Sequence, residues 1–185
     1  MRKLRTWGIL VAIGLASCTT VIPSGYDKCL NFTKLEAKNY PSISDIQGFL
    51  LGRFDGADVK VVQNGSSKGL EFGPYPFLSF MISHENNQVQ AFKKAWVRPT
   101  YFGSKGGVIA FWDAAGGLPI HMVEIPEGLP DGTVRPVEFT APTNIAIVGF
   151  GGEPSLVNAV CLDEETVAAR GVKSASALAK GLRLE

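Results

Sequence analysis

Histidine is nearly missing from this chain: only His84 and His121 occur in 185 residues. Neither stands in a His-x-x-x-His spacing or beside a cysteine pair, so a zinc centre built on such motifs is not expected. The one Gly-x-Ser-x-Gly, Gly65-Ser66-Ser67-Lys68-Gly69, falls in a stretch that reads as a hairpin turn, without the strand-to-helix context of a serine hydrolase's nucleophile elbow. No Asp-x-Asp-x-Asp run marks a calcium loop. No block of like charge occurs either. Eighteen basic residues against 17 acidic ones give a formal charge of +1, without the basic stripe that affinity for a phosphate backbone requires, so no nucleic acid partner is expected. The N-terminal apolar run from Trp7 to Ala16 is about half the roughly 20 residues that cross a bilayer as a helix.

What that N-terminal stretch does contain is ordered. Arg2, Lys3 and Arg5 precede the apolar run, and the small residues Ala16 and Ser17 precede Cys18, the anatomy of a cleaved signal peptide. Leu15-Ala16-Ser17-Cys18 resembles the lipobox of bacterial lipoproteins. The resemblance implies cleavage before Cys18, diacylglycerol on its thiol, acylation of its amine, and a membrane anchor held by several acyl chains. Thr19, rather than Asp, follows the cysteine, which in that family implies an outer-membrane address in the cell envelope. The alternative is an ordinary secretory signal with Cys18 near its cleavage site, and only then would the Asn-x-Ser/Thr sequons at Asn31 and Asn64 carry meaning.

Removal of residues 1–17 leaves 168 residues, one ordinary domain. It takes three of the 18 basic residues and none of the 17 acidic ones, leaving 15 against 17 and a formal charge of −2. With 45% hydrophobic residues, 21 Gly and 11 Pro, the body reads as short β-elements joined by many turns. Of three cysteines, lipid on Cys18 would leave Cys29 and Cys161. An exported location favours a disulfide between them over two thiols that never meet.

The expected organisation is a leader over 1–17, a tether over 18–27, a β-sandwich over 28–163, and a C-terminal helix or tail over 164–185. Strands are expected at 29–33, 48–54, 59–63, 77–82, 89–102, 108–112, 119–125, 134–139, 144–150 and 156–162, with a loop over 36–47. Asn64-Gly65 predicts a hairpin turn with positive φ at both residues. The run Phe77–Ile82 is too continuously apolar for a half-exposed strand and is expected to be covered on both faces. In 144–150, Ile145 and Ile147 fall on one face and Ala146, Val148 and Phe150 on the other. Asp163-Glu164-Glu165 can cap a helix whose stripe is Ala168, Val172, Ala175, Ala179 and Leu182.

Two segments, Phe111-Trp112-Asp113-x-x-Gly116-Gly117 and Ile145-x-Ile147-x-Gly149-Phe150, in the order cysteine strand, long loop, hairpin, interior strand and last strand, resemble bacterial jelly-roll domains of the galactose-binding-like and carbohydrate-binding-module type. That similarity covers most of 28–163. The nine or ten strands and the C-terminal helix or tail read above, taken with this resemblance, predict an all-β, jelly-roll-like antiparallel β-sandwich, and the resemblance implies terminal strands that lie close together, as a Cys29–Cys161 bond needs.

For function, the aromatic residues are the lead. Tyr75, Trp96, Tyr101, Phe102 and Trp112 are candidate stacking faces for sugar rings, with Trp112 expected in the core and Tyr75, between Pro74 and Pro76, the best-presented ring. Tyr75, Tyr101 and Trp96 are the candidate ligand-binding residues. Asp55, Asp58 and Asp113 read as turn residues before they read as catalytic acids. The expectation is a non-enzymatic, lipid-anchored envelope protein that binds a glycan or another envelope component, without a cofactor. The alternatives are an assembly lipoprotein recognising a protein through a sheet edge, and a small hydrolase.

Overall fold

The computed structural model describes residues 21–103, 105–114, 117–152, 155–166 and 174–182. The leader and Cys18 lie outside them. Among the described residues the chain forms, in order, β1 (Lys28–Asn31), β2 (Lys38–Tyr40), β3 (Ser44–Ile46), β4 (Phe49–Arg53), β5 (Val59–Asn64), β6 (Ser67–Glu71), β7 (Ser79–Glu85), β8 (Gln88–Val89), β9 (Ala91–Tyr101), β10 (Lys105–Trp112), β11 (His121–Glu127), β12 (Thr133–Val134), β13 (Val137–Ile145), β14 (Ile147–Gly152), β15 (Ser155–Thr166) and the helix α1 (Ala175–Gly181).

These strands make two antiparallel sheets packed face to face, the all-β sandwich that the sequence implies. One sheet has eight strands in the order β12-β9-β15-β6-β5-β2, with β13 also on β9 and β1 also on β15. The other has seven, β11-β10-β14-β7-β4-β3, with β8 on β7. From β6 onward the chain passes repeatedly between the sheets, so that β14 slots between β10 and β7, and β15 between β9 and β6. The count exceeds nine or ten because segments read as loops contain short strands. The polar stretch 36–47 supplies β2 and β3, three residues each. Both are sheet edges, where short polar strands are tolerated because one side faces solvent.

Side-chain alternation decides what each sheet buries. Phe49 and Leu51 of β4, Met81 of β7, Ile109 and Phe111 of β10, and Val148 and Phe150 of β14 point between the sheets and meet Val97, Tyr101, Val157 and Val160 from the facing sheet. Leu50, Phe80, Ile82, Val108, Ala110, Trp112 and Ile147 point the other way. Both faces of the seven-stranded sheet are therefore covered, as the apolar run ending at Ile82 requires. The cover is Phe54, with its ring against Phe80 and Trp112, and α1, which lays Ala175, Leu178 and Ala179 on the sheet. Burying Leu178 contributes about 2 kcal/mol.

The start of α1 is fixed by capping hydrogen bonds, two to side chains and one to the Asn87 main-chain carbonyl, rather than by propensity. Ser174 accepts from Ala177 N at 3.3 Å, and Asn87 in the β7–β8 turn accepts from Ala175 N at 2.8 Å and from Ser176 N at 3.0 Å. The acidic run at 163–165 is thus not the cap of this helix. It continues β15, because β9 is eleven residues long and offers ladder partners as far as Ala91. Residues 167–173, with Ala168 and Val172 of the expected stripe, lie outside the described residues.

Two further readings change. Ile145 and Ile147 do not share a face: β13 ends at Ile145 in one sheet and β14 begins at Ile147 in the other, so Ile145 joins the inter-sheet core and Ile147 the layer under α1. Ala146, whose N–H donates to Trp112 O at 2.8 Å, is the crossing point. The β5–β6 turn is also displaced by one residue. Asn64 pairs with Ser67 as a strand residue, the two-residue loop is Gly65-Ser66, and positive φ falls on Gly65 (56°) alone, the pattern of a hairpin with glycine at its first central position.

Candidate functional site

The outer face of the eight-stranded sheet divides into a covered half and an open half. In the covered half Cys29 stands opposite Cys161 on antiparallel β1 and β15, their Cα atoms 4.1 Å apart, and the disulfide is formed. Trp96, Ala159 and Cys161 lie buried there under Ile22 and Tyr26 of the N-terminal segment. Burial, then the charge of the Glu138 carboxylate and a hydrogen bond to it, push the Tyr26 hydroxyl up to about 12.

Further along β9 the cover ends. Val97 and Tyr101 face the core, so the period of two turns Arg98, Thr100 and Phe102 outward. They floor a cleft of about 660 Å³, walled by the β5–β6 hairpin (Asn64–Lys68) on one side and the turn at Asp131–Val134 on the other. The volume lies in the range of small-molecule sites.

Asn158 holds this floor together. It sits where the β15–β9 register shifts between Val157 and Ala159, is 1% exposed, and makes four hydrogen bonds. Its Nδ2 donates to Ser67 Oγ at 2.9 Å and to Lys68 O at 3.0 Å. Its Oδ1 accepts from Thr100 Oγ1 at 2.6 Å and from Arg98 Nη1 at 3.3 Å. The Lys68 carbonyl can only accept, which fixes the orientation of the amide. A buried amide so satisfied ties β6, β9 and β15 into one rigid base, and losing it would strand several polar groups. Around it the cleft is lined by Thr33, Ser66, Gln63, Asn64, Phe102 and the charged residues Lys68, Arg98 and Asp131.

The three aromatic candidates are not brought together. Tyr75 is 71% exposed in the loop before β7 and does not line the cleft. Tyr101 is 2% exposed. Its position on the inward phase of β9 puts the ring in the core, and burial raises its hydroxyl to about 12. Trp96 is buried beside the disulfide under Ile22 and Tyr26. Neither Tyr101 nor Trp96 presents a ring for stacking. Trp112 is core, its Nε1 donating to Gly117 O at 3.1 Å. Of the five aromatics, Phe102 is the one in the cleft.

Asp55 is a turn residue, spending Oδ2 on Arg53 at 2.5 Å and Oδ1 on Ala57 N at 3.0 Å. His121 stacks on Phe139 at 4.3 Å between ring centroids. His84 is buried with Nε2 3.1 Å from Asp45 Oδ2, close enough for an ion pair though not aligned as a hydrogen bond.

Sequence reasoning missed Arg98, Thr100 and Asn158. The first two carried a signal, since polar residues at every second position of a long strand mark one face. Asn158 carried another, as the lone amide within the apolar Leu156–Leu162.

No protein-family model matches the chain, and no curated protein matches it. Among solved structures it is similar to the K1 cleaved adhesin domain of Lys-gingipain from Porphyromonas gingivalis W83, with 14% identity over 81% of this chain and 94% of that chain and a TM-score of 0.29. That likeness assigns no ligand and no residue to this chain.

Proposed function

We propose that this chain is a non-enzymatic, lipid-anchored envelope protein whose sandwich binds a saccharide in the cleft over β9. The observation that carries the reading is the cleft itself. A rigid floor pinned by Asn158 presents hydroxyl and amide groups beside the half-buried Phe102 ring, and sugars offer the same pairing of hydroxyls with an apolar C–H face. Tyr75 is outside this site and is not needed for it.

A glycan array or polysaccharide pull-down with the purified full chain tests the reading. Binding that drops about tenfold in Phe102→Ala, with thermal stability kept, supports it; binding indifferent to Phe102 and Thr100 substitutions refutes the cleft. The anchor rests on Leu15-Ala16-Ser17-Cys18 and is tested separately. Labelled fatty acid should enter the wild type and not Cys18→Ala, and equal incorporation into both would end that part of the proposal.

A second reading, docking of an envelope protein along a sheet edge, is favoured by β11. This strand borders the seven-stranded sheet with Met122 half-exposed. Affinity capture from envelope extract that is abolished by Glu124→Pro, while glycan binding persists, would separate the two.

A further inference from the structure

We infer that Asn64 deamidates spontaneously through attack by the Gly65 main-chain nitrogen, and that its conversion weakens ligand binding in the cleft; the second half rests on the saccharide reading above. Of the asparagines in the chain, Asn64 alone is followed by glycine. The attacking nitrogen is therefore unshielded, because any other residue would hang a Cβ beside it. A Cβ added to Gly65 would meet nothing within 4 Å, and residues 63–66 are exposed, so water reaches both partners. Asn64 pairs with Ser67 across the two-residue loop, a closure that uses the main-chain groups of those two and leaves the Gly65 N–H out of the ladder. Asn158 fixes the β6 side of this pair through Ser67 and Lys68. The β5 side is freer: β2 pairs with β5 at Val59, Lys60 and Val61, short of Asn64, and a strand end of that kind opens at little cost.

The reaction needs water alone. The Gly65 nitrogen loses its proton and bonds to Asn64 Cγ, the Cγ–Nδ2 bond breaks, and ammonia leaves with that proton. Water then opens the resulting imide at either carbonyl: cleavage of the new N–Cγ bond gives aspartate, and cleavage of the original peptide bond gives isoaspartate, whose main chain runs through Cβ. Position turns this chemistry on the cleft. Val61 and Leu70 pair with each other and face the core, so the period of two sends Asn64 and Ser67 to the outer face, where Ser67 Oγ accepts from Asn158 Nδ2 at 2.9 Å. Conversion replaces a neutral amide with a carboxylate, which accepts but no longer donates, and isoaspartate lengthens the cleft wall by a main-chain atom opposite Ser67. A hydroxyl-rich ligand loses contacts with either product.

For the test, the full chain is aged for weeks in mildly alkaline and in mildly acidic buffer and digested with trypsin. The peptide 61–68, delimited by Lys60 and Lys68, is followed by mass spectrometry, with isoaspartate scored by isoaspartyl methyltransferase. Fresh and aged wild type, Asn64→Gln and Asn64→Asp are pulled down on peptidoglycan sacculi, xylan and cellulose. The expected result is conversion of 61–68 that quickens with alkalinity and yields mainly isoaspartate. Binding to the polysaccharide that retains fresh protein should weaken about fivefold on ageing and in Asn64→Asp, the effect of a lost hydrogen bond. Asn64→Gln should neither convert nor lose binding as it ages. Circular dichroism of both variants guards against misfolding, and the aged wild type needs no variant. A synthetic peptide of residues 61–68 gives the rate without a hairpin; if it converts while the folded chain does not, the inference falls. Conversion with binding unchanged in both aged protein and Asn64→Asp overturns the coupling and leaves the saccharide reading standing. Retention of fresh protein by none of the three polysaccharides overturns that reading and the coupling together, and the peptide masses still decide whether Asn64 converts.

Discussion

Removing the disulfide is the perturbation whose cost can be worked most directly. Cys29 and Cys161 are 132 residues apart, so the bond closes nearly the whole domain into one loop, and the chain-entropy model puts the loss of unfolded-state restriction at about 5 kcal/mol. The native state should change little. Cys161 is fully buried on the outer face, and alanine at both positions removes two sulfurs without touching the inter-sheet core. The assay is urea unfolding of the wild type and the Cys29→Ala/Cys161→Ala double variant, both made in an oxidising compartment, followed by tryptophan fluorescence and circular dichroism. With a slope of about 2 kcal/mol per molar urea for a domain of this size, the midpoint should fall by about 2.5 M, and the slope should rise because the unlinked unfolded chain is more open. A fall of less than about 0.5 M would refute the reasoning: it would mean that the unfolded chain already holds its ends together, or that β1 detaches before the global transition and makes the closed loop irrelevant. Non-reducing peptide mapping of the wild type, which should yield the Cys29–Cys161 cross-linked peptide, guards against a sample in which the bond never formed.

Tyr75→Ala should leave stability within about 0.5 kcal/mol of wild type because the ring is exposed, whereas Tyr101→Ala should cost about 3 to 5 kcal/mol as a large-to-small core change; thermal melts of the pair check this. Tyr101 keeps its proton to about 12 when folded, against 10 for an ordinary tyrosine. Between pH 10 and 12 the unfolded chain releases a proton that the folded chain retains, so stability is full below pH 10 and declines through that window by on the order of 2–3 kcal/mol. Tyr101→Phe should remove most of this alkaline slope in urea midpoints measured from pH 9 to 12, and an unchanged slope would reject the assignment. Lys28 sends its ammonium between the strands, donating to Gly48 O at 3.1 Å, His84 O at 2.9 Å and Gln90 Oε1 at 2.5 Å. Lys28→Met keeps the stem and strands those acceptors, so a loss of about 1 to 3 kcal/mol is expected in chemical denaturation, and a neutral result would mean that water replaces the ammonium freely.

The architecture was legible wherever burial leaves a periodic mark. Alternation in β4, β7, β10 and β14 follows from two faces meeting two different apolar layers, and the continuous run into Ile82 announced that both would be covered. Local chemistry was less legible where tertiary pairing overrides it. Asp163–Thr166 has the composition of a helix start, yet the length of β9 holds it in a ladder. The isoleucines at 145 and 147 keep period two, but the chain changes sheets between them, which no local pattern records. The site was the hardest part. Tyr101 and Phe102 are neighbours with similar surroundings in sequence, and only the phase of β9, set by Val97 on the core side, sends one ring inward and the other into the cleft. The disulfide, by contrast, followed from counting the cysteines of a chain whose leader reads as an export signal.

The meeting of β1 with β15 also sets how the domain carries load. Under the anchored, ligand-binding reading proposed above, the domain would be held by its N-terminal end and pulled there whenever a bound ligand moves. Tension entering at Ile22 passes to Asp27, whose N–H is bonded to Leu162 O at 3.1 Å, and then to β1. A four-residue edge ladder alone would open like a zipper, one bond at a time. Here the peel meets a covalent stop at Cys29, the second residue of the strand, and the force is handed to β15, flanked by β9 on one side and by β6 and β1 on the other. Further extension then has to drag an interior strand out of its sheet, with many hydrogen bonds sharing the strain together. The same strand carries Asn158, so the line of tension ends in the floor of the cleft.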